Sequence, residues 1–113
     1  MKGAAHFAVT MLIAFCVMSA AHADDSTGHQ VFAKWCAPCH SRGPGNPGTQ
    51  ALAAVYKNAK PGALEDRADL TPAFIKQAVR RGVNVMPYFR KTEISDAELD
   101  ALSAYLSRKP KSK

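Results

Sequence analysis

The chain has 113 residues, 47% of them hydrophobic, with fifteen lysines and arginines against nine aspartates and glutamates, for a formal net charge of +6. That length holds one small domain with a modest core. The basic excess favours solubility and attraction to acidic partners, but the basic residues are scattered apart from the tail Arg108 to Lys113, a poor pattern for a nucleic-acid surface.

The first residues read as an address rather than as structure. Lys2 gives a weakly positive start, Phe7 to Met18 is a nearly unbroken apolar run, and Ala21-His22-Ala23 fits a small-x-small cleavage site before the polar Asp24-Asp25. This is the pattern of a secretory signal peptide over residues 1–23, cleaved to leave a domain over 24–113. The apolar run is short for a transmembrane helix, so an uncleaved anchor is the lesser alternative. Cys16 follows Phe15 where a lipoprotein site needs a small residue, and reads as an ordinary apolar position. A periplasmic location follows, with no nucleic acid and no membrane contact after cleavage. The remaining 90 residues keep two cysteines, Cys36 and Cys39, two histidines, His29 and His40, and a single methionine, Met86, because Met1, Met11 and Met18 leave with the leader.

Ser26 and Thr27 can cap a first helix, and Val31, Phe32 and Trp35 give it an apolar face. That helix runs into Cys36-Ala37-Pro38-Cys39-His40, the C-x-x-C-H signature for c-type haem attachment. The spacing has a chemical reason. Two thiols on one helical turn can each add across a haem vinyl group, and the next residue, His40, is carried under the iron as the proximal ligand. Two other readings compete. Trp35-Cys36-Ala37-Pro38-Cys39 also spells the W-C-x-P-C of a thioredoxin-like dithiol, which would sit between a buried strand and a helix N-terminus. A zinc ribbon would need a second pair of ligands at short spacing, and the chain has no second cysteine pair.

Ser41 to Gly48 carries three glycines and two prolines in eight residues and predicts a loop. A short helix is expected over Thr49 to Lys57, with Leu52, Val55 and Tyr56 inward. Asn58 to Asp69 is polar and mostly loop. Thr71-Pro72 opens the next helix with a capping hydroxyl and proline at the first helical position. Its buried stripe should be Phe74, Ile75, Ala78 and Val79. Arg80-Arg81 suits the negative end of the helix dipole, and Gly82 suits the left-handed cap. Val83 to Thr92 reads as a loop. Ser95-Asp96-Ala97-Glu98 is a capping box for the last helix, whose Leu99, Leu102, Tyr105 and Leu106 fall at helical spacing before Pro110 ends it. No segment alternates as a strand should. The expected fold is all-α, with three or four helices and long connections wrapped around one haem. Because only twelve residues separate Ala23 from Cys36 and they read as helix, the strand that a thioredoxin-like site requires is missing.

A haem iron takes a second axial ligand, and methionine sulfur is the common partner where electron transfer is the task. Met86 is the only thioether left after processing, in a loop stiffened by Pro87. His29 lies on the first helix, on the cysteines' side of the haem, and reads as a surface residue. His40 should bind iron through Nε2 and donate Nδ1–H to a backbone carbonyl, with Pro47 the first candidate acceptor and Pro44 the second.

Gly28 and Phe32 in the first helix, the Cys36 to His40 motif, Pro47-Gly48, Val85-Met86-Pro87 and Leu99, Leu102, Tyr105 and Leu106 in the last helix together resemble class I c-type cytochromes. The resemblance implies that the first and last helices cross where Gly28 is small enough to let them approach, with Phe32 and Tyr105 packed at the crossing. A narrower stretch is similar to the small cytochrome subunit of alkylphenol-oxidising flavocytochromes such as p-cresol methylhydroxylase. It comprises Asp69 to Pro72, Val79 to Gly82 and Met86 to Leu99. That resemblance implies a monohaem electron carrier, not itself an enzyme, which accepts electrons from a flavoprotein dehydrogenase subunit. A free electron shuttle for a respiratory chain, serving some other redox protein, is the alternative. In this family the haem edge near the thioether bonds lies closest to solvent. A partner would then meet Cys36, Ala37 and Val85 to Tyr88, with Lys34, Arg42, Arg90 and Lys91 framing the patch.

Overall fold

The computed structural model describes residues 25–108. The leader, its cleavage site and Pro110 lie outside them. The described residues form helices and turns with no strand, as the sequence predicts for a small all-α cytochrome c fold. Helix α1 covers 25–31 and runs without a break into a π-helical turn, Phe32–Cys36, and then into α2, Ala37–His40. Residue 25 is already helical, so Ser26 and Thr27 lie inside α1 rather than capping it. In the π turn the Ala37 amide donates to the Phe32 carbonyl, one residue further back than in an α-helix. Phe32 and Cys36, at its two ends, are both buried.

Helix α3 is Pro47–Val55, starting and ending two residues earlier than predicted, because Pro47 takes the first helical position. Val55 does not face inward: it is 70% exposed. A 3-10 turn, Leu64–Asp66, leads to α4, Pro72–Arg81. The Thr71 hydroxyl caps α4 by accepting from the Phe74 amide. Ile75 and Val79 are buried as expected, but Phe74 is 53% exposed. At the far end Gly82 adopts φ 71°, ψ 171°, a conformation essentially confined to glycine. Helix α5, Asp96–Ser107, opens on the predicted capping box: Ser95 accepts from the Glu98 amide, and the Glu98 carboxylate accepts from the Ser95 amide.

The core is one cluster. Ile94, Leu99, Leu102 and Leu106 from the C-terminal region meet Val31, Phe32 and Cys36 from the first helix and Ile75 and Val79 from α4. The first and last helices cross at Gly28, where a β-carbon would stand 2.6 Å from Tyr105 Cβ. The Tyr105 ring then packs against Phe32 and edge-on against His29, with centroids 6.0 and 5.5 Å apart. Ion pairs strap α4 to α5 on the outside, Lys76 to Asp100 at 2.5 Å and Arg80 to Asp96 at 2.9 Å. Such exposed pairs add little each; the shared leucine and isoleucine packing holds the frame that presents the site.

Candidate haem site

Cys36 is the last residue of the π turn, and Cys39 and His40 end α2. Cys36 is buried in the core cluster while Cys39 is exposed, and neither is in a disulfide. Burial first, and then the neighbouring Cys39, push the Cys36 thiol up to about 12. A raised thiol and the helical setting both speak against the dithiol alternative. A redox dithiol needs a thiol lowered by a helix N-terminus beyond a strand. Here no strand exists among the described residues, and the first thiol is buried within a continuous helix. The described residues contain no group of three or more His, Cys, Asp or Glu side chains placed to hold a metal ion.

His40 is half-buried, and desolvation lowers its pKa. Its Nδ1 is buried and has no hydrogen-bond partner, so neither Pro47 nor Pro44 accepts from it as expected. What backs the ring is Gly48. A β-carbon there would fall 2.5 Å from His40 Cε1 and 2.7 Å from Nδ1, and 2.8 Å from the Cys39 carbonyl oxygen. Pro47 contributes by starting α3, which sets Gly48 against the imidazole. Only a residue without a side chain fits there. The sequence had pointed to the adjacent proline, and a close approach of this kind leaves no local signal other than the glycine itself.

Met86 sits in a tight reversal after α4. Its amide donates to the Val83 carbonyl at 2.9 Å and its carbonyl accepts from the Val83 amide at 3.2 Å. Asn84, with φ 52°, supplies the positive backbone angle that this turn needs. Gly82 lies under the turn, where a β-carbon would meet the Met86 carbonyl oxygen at 2.5 Å. The segment returns to α4 through the Phe89 amide on the Val79 carbonyl, 2.8 Å, and through Arg80 Nη1 on the Phe89 carbonyl, 3.1 Å. Phe89 meets Trp35 edge-on, with centroids 5.7 Å apart. Through that contact the structure joins the methionine loop to the helix that carries the cysteines. His29 is exposed on α1 and packs on Tyr105.

The residues fit a haem. The thiols and imidazole occupy consecutive turns of one helix, and the imidazole is fixed by backbone on its Nδ1 edge. Val83, Val85 and Tyr88, around the methionine, are large apolar side chains left exposed, an arrangement suited to the hydrocarbon rim of a flat macrocycle rather than to water. Of the basic residues expected to frame a patch, Arg42 is paired with Glu65 and Asp66, Arg90 with Glu93, and Lys91 with Asp96, while Lys34 lies over the Trp35 ring at 4.9 Å.

Comparison with known proteins agrees. The family model described as cytochrome c oxidase, cbb3-type, subunit III matches residues 23–106. The chain is 33% identical over 98 residues to cytochrome c6 of Cyanidioschyzon merolae, which covers 87% of this chain and 86% of the relative. No solved structure matches. No helix among the described residues is long and apolar enough to cross a membrane. The chain belongs to the c-type cytochrome family of the cbb3-type subunit III model, as a class I electron carrier with a covalently bound haem c.

Proposed function

We propose that the chain is a periplasmic, monohaem electron carrier, exported by the leader at residues 1–23 and folded over 24–113. Cys36 and Cys39 would hold the haem through thioether bonds, and His40 and Met86 would ligate its iron. The observation that carries this reading is the His40 ring, directly after Cys39 in the helix and backed on its Nδ1 edge by Gly48. With its Nδ1 edge turned into the protein, the imidazole offers Nε2 as the ligating nitrogen. When bound, the haem supplies a one-electron ferric–ferrous couple. The chain's own residues would anchor it and orient the imidazole, while Val83, Val85 and Tyr88 form an exposed apolar surface beside Met86. Pro47 acts by placing Gly48.

The donor in this reading is a flavoprotein dehydrogenase subunit. Its support is the segments Asp69 to Pro72, Val79 to Gly82 and Met86 to Leu99, which resemble the cytochrome subunit of alkylphenol-oxidising flavocytochromes. A free shuttle for a respiratory chain is the second reading, and it is favoured by the similarity to an oxidase subunit model and to cytochrome c6. Expression with the full leader in a bacterium able to mature c-type cytochromes tests the core of the proposal. The purified protein should begin at Asp24, weigh one haem more than the chain, and keep that haem through acid–acetone extraction. Loss of the haem to acetone would refute the thioether assignment.

A further inference from the structure

The segment after His40 has a composition that should leave it loose. Gly43 and Gly45 flank Pro44 with φ of 92° and 86°. Side chains nevertheless hold it firmly. Asn46 Nδ2 donates to the Arg42 and Gly43 carbonyls, both at 3.1 Å, and the Thr49 hydroxyl donates to the Ser41 carbonyl at 2.8 Å. Arg42, two residues beyond His40, reaches across to the 3-10 turn. Its Nη1 donates to Glu65 Oε2 at 2.9 Å and its Nε to Asp66 Oδ1 at 2.8 Å. Glu65 has a second partner: its Oε1 accepts from the Tyr105 hydroxyl of α5, forty residues along the chain.

We propose that Glu65 is a positioning residue for the proximal side of the haem site, linking Tyr105 of the last helix to Arg42 and so fixing the segment that bears His40. The inference rests on the reading of His40 as an iron ligand. The geometry suits a relay. The two carboxylate oxygens face different partners, so neither bond can be lost without freeing the other to move. The Glu65 side chain is 19% exposed and that of Arg42 59%, so the carboxylate end of this charge-assisted pair is partly shielded from water while the guanidinium end is not. Burial first, and then the bond to Glu65, push the Tyr105 hydroxyl up to about 12, so it remains a donor at neutral pH. Tyr105 is itself anchored by Phe32 in the helix that carries Cys36. The last helix therefore touches both flanks of the C-x-x-C-H motif, upstream by packing and downstream through Glu65. Groups that orient a metal-bound histidine from outside tune the metal as well as the fold.

Tyr105→Phe keeps the ring and removes the donor. Glu65→Gln keeps an acceptor for Tyr105 and removes one of the two carboxylate charges, Glu65 and Asp66, that hold Arg42. Both are made in the haem-loaded protein and read by the iron-shifted proton resonances of the ferric His40 ring, with the midpoint potential and melting temperature alongside. Both variants should move the His40 resonances and the midpoint. In an Arg42→Gln background Tyr105→Phe should cause no further movement, because the relay is already cut. A lowered melting temperature with unmoved resonances and midpoint would overturn the proposal, as would equal effects of Tyr105→Phe with and without Arg42. If the unsubstituted protein shows no iron-shifted His40 resonances, the ligand reading itself fails, and that is visible before any variant is compared.

Discussion

Gly28 packs directly onto the Ala101 peptide. A β-carbon at position 28 would lie 2.9 Å from the Ala101 carbonyl carbon, and nearer still to its oxygen. The obstruction is helix backbone, which cannot rotate aside as a side chain would. Gly28→Ala should force the first and last helices apart and cost about 1–3 kcal/mol, the usual range for overpacking a core. Thermal unfolding of the haem-loaded protein, followed by far-ultraviolet circular dichroism, measures this. A melting temperature equal to that of the parent would show that the crossing is looser than the structure has it.

The helices that end in short-range signals were legible. Thr71-Pro72 and Ser95 with Glu98 mark α4 and α5 because a cap is satisfied within three residues of itself. The C-x-x-C-H motif was legible for the same reason, since its chemistry needs one helical turn. Apolar spacing misplaced Val55 and Phe74, because periodicity reports which residues share a helical face and not whether another element covers it. The π turn gave no signal. Neither did the Tyr105–Glu65 bond, whose partners are forty residues apart. Arg67, 4% exposed in a polar stretch that reads as loop, was missed as well: its burial depends on Asp69 and on the Tyr56 ring 4.7 Å away.

That Arg67 site predicts acid sensitivity. Asp69 receives Arg67 Nε at 2.6 Å and Nη2 at 2.7 Å, and Lys60 Nζ at 2.7 Å. Arg67 first, and then Lys60, hold the Asp69 carboxyl well below the usual carboxylate range. A depressed carboxyl contributes stability that is fully present above its ordinary value of 3.8 and is lost as pH falls toward the folded value. Asp69→Asn should cost about 1–2 kcal/mol at neutral pH, a charge-assisted contribution reduced because Asp69 is partly exposed. The gap between variant and parent should narrow as pH falls from about 5 to about 2. Urea unfolding across that range checks it. A gap that stays constant would mean Asp69 keeps its proton equilibrium unchanged on folding.

Met86→Ala tests the proposed sulfur ligand. The ferric parent should show the weak near-infrared band of sulfur-to-iron charge transfer, and the variant should lose it. The midpoint potential should fall, because methionine ligation favours ferrous iron. The turn is held by backbone bonds between Val83 and Met86 and by the Phe89 amide on Val79, so the loop should keep its path without the thioether. A near-infrared band that survives the substitution would remove Met86 from the iron.

Arg42, Arg90 and Lys91 are each paired with a carboxylate within the chain. A paired charge projects little field beyond the Debye length of about 10 Å at 0.1 M salt. The surface beside Met86 is instead apolar, with Val85 at the tip of its turn 99% exposed and Tyr88 62% exposed. Association here should depend on apolar contact more than on electrostatic steering. In stopped-flow reduction by a purified flavoprotein dehydrogenase subunit, raising the ionic strength should slow the second-order rate by only a few-fold. Steered pairs change by roughly ten- to a thousandfold. Val85→Asp should slow the same reaction about tenfold, the effect of roughly 1.4 kcal/mol lost at a contact centre. A steep salt dependence together with indifference to Val85→Asp would move the docking site away from this loop. Rapid reduction by a membrane quinol oxidoreductase, with none by any flavoprotein, would leave the free shuttle as the reading of the chain.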